Sequence, residues 1–132
     1  MSSLTPTPDK STMLVSRLMS LLMAARPQGH ILHLQSKSFA QHIALDEFYK
    51  GIGKITDTVI EAYQGCIGIV YGYKLGPMLE DDKPIAYLTQ LKQQIQDIRY
   101  QAVPKEYTNI HNELDNAVTL IDQVLYKLKN LK

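Results

Sequence analysis

From Tyr107 onward, apolar residues fall on two interleaved sevens, Tyr107, Leu114, Ile121, Leu128 and Ile110, Ala117, Val124, Leu131. Alternating steps of three and four place all of them on one stripe of an α-helix, and so regular a heptad suits close-packed antiparallel helices. A strand, with its period of two, cannot bury that set. Ile85, Leu88, Leu91, Ile95, Ile98 and Ala102 form a second such stripe. Pro84 and Pro104 each suit the first turn of a helix, so the third helix is expected over about 84–102 and the fourth from Pro104.

The N-terminal half repeats the pattern. Leu14, Leu18, Leu21 and Ala25, with Val15 and Leu22 beside them, predict a first helix from about Thr12, capped by Asp9 or Ser11. Pro27 and Gly29 leave open whether it kinks and continues through His30 and His33 or breaks. QSKS reads as a short turn with Ser38 as a cap, and a second helix runs from about Phe39 to Gln64 with Gly65 as its stop. The next stretch, GCIGIVYGYKLGPMLEDDK, reads as a crossover packed on the body of the protein. The opening MSSLTPTPDK is a Ser/Thr/Pro-rich flexible tail, residues 1–10, ahead of one domain, residues 11–132. Four helices, two tight turns and one long crossover between the second and third helices outline an all-α, ferritin-like four-helix bundle.

Composition narrows the function classes. The chain has 132 residues and a formal charge of +1 with both signs interspersed, which gives no reason to expect nucleic acid or an acidic membrane as partner. Cys66 is the sole cysteine, so an internal disulfide and a zinc-thiolate site within one chain are excluded. No apolar run approaches a membrane span and no hydrophobic leader opens the sequence, so a cytoplasmic location is expected.

The second helix carries the chemistry. With His42 at zero and a step of about 100° per residue, Asp46 falls near roughly 40°, Asp57 near 60° and Glu61 near 100°. The apolar residues Phe48, Ile52, Ile55 and Val59 occupy a different arc, between roughly 220° and 280°. Along the axis, however, Asp46 and Asp57 are about 16 Å apart, so one chain offers two half-sites. The four positions are symmetric about the point between Gly51 and Ile52. Two copies of this helix crossing antiparallel there would set His42 and Asp46 of one chain against Asp57 and Glu61 of the other. Gly53, on the same arc, would let the helices approach. His33, nine residues before His42 across a short turn, completes a shell of two imidazoles and three carboxylates. Such a shell suits iron or manganese, with zinc and copper as competitors. A solvated charged face would carry the same residues: Lys50 and Lys54 share the arc, and Asp46 and Lys50 are an i,i+4 ion pair on that reading. His30 reads as packing or solvent-facing and His111 and Asp115 as a surface pair; Tyr49, Tyr63 and the other tyrosines read mostly as core-edge residues, one of which near a metal could relay an electron.

The stretch His33–Gly65 resembles the Dps family, the starvation-induced mini-ferritins. Their pattern is a histidine ending the first helix, His-x3-Asp early in the second, and Asp-x3-Glu eleven residues on. Here these are His33, His42, Asp46, Asp57 and Glu61, with LDEFY and Gly65 also in family style and Leu34 in place of the usual tryptophan. The resemblance implies a ferroxidase site at a two-fold dimer interface, Fe(II) oxidation by peroxide or oxygen, and mineral storage in a closed cage of twelve subunits. It carries over little DNA binding, because the tail holds only Lys10. The chain is also similar, over nearly its whole length, to small phage-encoded proteins sharing H-x-QSKS-[FY]-A-x-H and a C-terminal LYxLxxL, which would place it in a host cytoplasm. Two alternatives stand beside the ferroxidase: a non-catalytic helical oligomer keeping a structural metal clip, and a phage interaction protein.

Overall fold

The computed structural model describes residues 10–132. The expected tail, Lys10 apart, and the cap Asp9 lie outside the described residues. Four helices follow in order: α1 (Lys10–Leu34), α2 (Phe39–Cys66), α3 (Pro84–Ala102) and α4 (Thr108–Asn130). Each of α1 and α4 packs against both α2 and α3, which leaves α1 opposite α4 and α2 opposite α3 in a four-helix bundle. The predicted stripes meet in its centre, where Leu18, Leu22, Phe48, Ile95, Leu114 and Ile121 are fully buried. Among the described residues no helix is long and apolar enough to cross a membrane.

Helix α1 runs unbroken through Pro27. Proline removes one backbone hydrogen bond and crowds the preceding turn, at a cost of about 3 kcal/mol in a helix interior. Pro27 is exposed, so the freed carbonyl is on the wet side. Packing on the other side holds the helix together. At Gly29 a Cβ would lie 2.7 Å from Cδ2 of the fully buried Phe48 and 3.0 Å from Tyr49 Cβ, so α2 approaches α1 more closely than any side chain would permit. One turn and more earlier, Thr56 Oγ1 of α2 donates to the Leu22 carbonyl at 3.1 Å.

Helix α2 starts where expected, with Ser38 Oγ accepting from Gln41 N–H at 3.1 Å, and continues one residue past Gly65. Helix α4 starts four residues later than its proline suggests. A residue before proline is driven out of the helical region, and Val103 is extended at φ −124°, ψ 120°. Residues 104–107 then close a separate turn, with Tyr107 N–H donating to the Pro104 carbonyl at 3.1 Å.

The 67–83 connection has no regular secondary structure and is pinned to α1 at three levels. Ser16 Oγ donates to the Tyr71 carbonyl at 2.6 Å, and Lys74 N–H donates to Ser20 Oγ at 2.9 Å. The buried Gln28 amide grips Leu79 from both sides, donating to its carbonyl at 2.8 Å and accepting from its N–H at 2.6 Å. From Ser16 to Gln28 the chain climbs about 18 Å along α1. Consequently α3 begins at the end of the bundle where α2 also begins. Gln28→Leu should free this strap, lowering stability by about 1–3 kcal/mol in urea unfolding and opening 75–83 to limited proteolysis. Unchanged protease resistance would contradict the role given to Gln28.

Candidate metal centre at the α1–α2 seam

The turn after Leu34 folds the end of α1 over the start of α2 and brings His33 and His42 face to face. Their rings stack with centroids 3.7 Å apart and planes 24° from parallel. His33 Nδ1 is 2.7 Å from the His42 carbonyl oxygen, and His42 Nδ1 is 3.0 Å from that of His33. A carbonyl oxygen only accepts, so both Nδ1 atoms carry the proton and donate. That donation leaves Nε2 as the ring nitrogen available to a metal, the arrangement in which a second hydrogen bond orients a ligating imidazole. His33 is buried and His42 half-buried. Tyr49 closes the cluster from below, its ring 5.3 Å from His33 and stacked at 4.4 Å on the exposed His30. Two residues past His33, the buried Gln35 Oε1 has no hydrogen-bond partner among the described residues.

Asp46 lies one turn beyond His42 on α2. Lys50 Nζ donates to its Oδ2 at 3.1 Å, as the i,i+4 spacing predicts. That hydrogen bond is the main cause holding the Asp46 carboxyl below its ordinary value of 3.8; partial burial opposes it and Tyr49 assists. A lowered folded value means that the contact contributes above that range and is lost as pH falls through it. Asp57 and Glu61 are exposed, about 16 and 22 Å farther along the axis from Asp46, and neither joins an ion pair among the described residues. Among those residues no group of three or more His, Cys, Asp or Glu converges on one point. A single chain therefore brings together His33 and His42 with Asp46 beside them, and holds Asp57 and Glu61 apart. Gly53 has a partner within its own chain: Arg26 of α1 lies across it, with a Cβ there 2.8 Å from Arg26 Cδ.

A second polar cluster differs from its sequence reading. His111 is buried, not a surface partner of Asp115. Its Nε2 is 2.9 Å from the Val103 carbonyl and its Nδ1 accepts from Arg99 Nε at 3.3 Å. Arg99, only 2% exposed, also donates to the His111 carbonyl at 2.7 Å and to Gln96 Oε1 at 3.0 Å. Asp115 pairs with that guanidinium at 2.8 Å instead. The signal available in the sequence was an arginine beside Ile98, at the edge of an otherwise apolar stripe. The cluster fastens the α3–α4 turn and lies on the other pair of helices from the His33–His42 seam.

The fold is thus an all-helical, four-helix bundle with a histidine pair built into one seam. The sequence from 33 to 128 matches DUF5856, a family of unknown function, and the chain belongs to that family. No curated protein and no solved structure matches it. The matched region opens on His33 and contains His42, Asp46, Asp57, Glu61 and the Arg99–His111 cluster.

Two outcomes check these assignments. Arg99→Met should lower unfolding stability by about 2–3 kcal/mol, since it strips charged hydrogen bonds from a buried histidine and its carbonyl. Asp46→Asn should be less stable than the parent at neutral pH and converge with it in acid; thermal unfolding across pH would reveal a constant gap if the carboxylate were irrelevant.

Proposed function

We propose that the chain is a Dps-like ferroxidase whose iron site is completed only when two copies meet through α2. His33, His42 and Asp46 of one chain would face Asp57 and Glu61 of the other, giving two equivalent sites per two-fold dimer. The observation that carries this reading is the reciprocal His33–His42 hydrogen bonding, which leaves two Nε2 lone pairs directed away from the backbone beside an ionised carboxylate. The climb of the 67–83 connection along α1 supports the ferritin-like topology. The closed twelve-subunit cage and mineral storage rest on the resemblance alone.

Iron is substrate in this scheme. Two Fe(II) ions give one electron each, and with two protons they reduce one peroxide to two waters. The imidazoles suit Fe(II), while Asp46, Asp57 and Glu61 offset the charge gained on oxidation. Manganese or zinc would compete for the same donors. Asp57→Ala with Glu61→Ala should slow peroxide-driven Fe(II) oxidation by at least about tenfold, followed by ultraviolet absorbance of ferric oxo species. Asp122→Ala, an exposed acid on α4, serves as control. An unchanged rate in the double variant would end the assignment.

A second reading is favoured by the two cations in the arc, Lys50 on Asp46 and Arg26 across Gly53, which oppose a cluster of divalent ions. On that reading the histidines and carboxylates clip a helical oligomer through one structural metal. Metal binding without Fe(II) oxidation would decide for it.

A further inference from the structure

The 67–83 connection leaves most of its large apolar side chains exposed, Ile69 and Tyr71 most of all. Ile67, Ile69, Tyr71, Tyr73 and Leu75 occupy successive odd positions, Leu79 follows on the same alternation, and all six are exposed. Ile69 is 62% and Tyr71 76% exposed. The even positions between them hold Gly68, Val70, Gly72, Lys74 and Gly76. Val70 is buried, and at Gly72 a Cβ would lie 3.2 Å from Ser16 Oγ, so the backbone lies close on α1 at that point. Gly72 and Gly76 also take positive φ, 84° and 71°, which side chains resist.

The outward face is not the product of a loose segment. Ser16, Ser20 and Gln28 hold the backbone, and Gln64 Oε1 accepts from Val70 N–H at 3.1 Å. The ribbon therefore cannot roll over to bury its large residues on its own bundle. Together the six side chains expose on the order of 600 Å2, the upper end for the largest apolar patch of a monomer. Doubled across a two-fold axis, this reaches about 1,200 Å2, where stable interfaces begin. Lys74 is the sole charge between Ile67 and Leu79, and the acids Glu80, Asp81 and Asp82 that follow would repel an anionic surface. No charge pattern selects a different partner, whereas an apolar ribbon with one lysine is complementary to itself when the two copies set Lys74 toward solvent.

We propose that residues 67–79 form an interface between two copies of this chain. The proposal does not depend on the iron reading. The ribbon runs along α1 beside α3, where Leu75, Pro77, Met78 and Leu79 wall a cleft with Leu21 and Tyr87. The His42–Glu61 arc lies on α2.

Sedimentation equilibrium and amide hydrogen exchange of the full chain, at low and high micromolar concentration, test it. The parent should self-associate, with amides of 69–76 protected only at the higher concentration. Ile69→Lys with Tyr71→Lys should weaken that association by at least about thirtyfold and leave the helical circular dichroism unchanged, because both side chains are exposed in the single chain. Asp57→Ala with Glu61→Ala should keep the ribbon protection, so the two interfaces are read separately. A parent that stays a single chain, protection independent of concentration, or a lysine double variant that assembles like the parent would each overturn the proposal. A single-chain parent that co-sediments with phosphatidylcholine vesicles would overturn it in favour of a lipid surface.

Discussion

The contact between α1 and α2 governs this molecule. Gly29 against Phe48 sets how near the two helices come, and that nearness lets α1 survive an internal proline and bring His33 onto His42. With a larger residue at 29 the helices would separate by part of a side chain. Two hydrogen bonds that each need a ring of one helix at the backbone of the other would then fail together. The histidine pair is thus a consequence of core packing, not an independent ornament. The His42 ring adds a donor to the His33 carbonyl, one of the last four of α1, while the His42 carbonyl, in the first turn of α2, accepts the His33 ring in addition to its helical partner.

The other face of α1 does different work. Ser16, Ser20 and Gln28 use short polar groups to hold a non-helical strap by its backbone, since an irregular segment cannot satisfy its own N–H and C=O groups. That strap returns the chain to the end where α2 began, so α3 descends alongside α1. One helix therefore carries two functions at once: an apolar and histidine-bearing seam toward α2, and a polar track for the connection. The strap leaves its large apolar residues in solvent, while the α2 arc leaves two carboxylates without partners among the described residues.

Much of this was legible in the sequence, for identifiable reasons. The stripes of α3 and α4 report the core in their middle turns, because helical period and burial are one constraint: Leu88, Leu91, Ile95, Ile110, Ala117 and Val124 are all buried, while the outermost members, Ile85 and Leu131, are exposed. Pro27 was ambiguous because its effect depends on whether solvent can reach the freed carbonyl. The start of α4 was misread because Pro104 restrains Val103 before it, not only the helix after it. The nearness of His33 to His42 followed from nine residues and a tight turn, but the shared Nδ1 donation did not, since it depends on ring rotation. His111 was taken for a surface residue because Asp115 offered an obvious partner four residues on; its actual partner, Arg99, arrives from the preceding helix. The connection is expected to pack on the body, and Val70 and Gly72 do, while Ile69 and Tyr71 face away.

The central claim is that one chain holds two half-sites and that a whole one needs two chains. Mixing two inactive variants, His42→Ala and Glu61→Ala, tests it most directly. Each alone breaks both sites of its own dimer. A mixed dimer rebuilds one intact site, from the first half-site of the Glu61→Ala chain and the second of the His42→Ala chain. After unfolding and refolding in equal amounts, the mixture should regain about a quarter of the parental Fe(II) oxidation rate. A mixture no more active than its separate components would contradict the shared site.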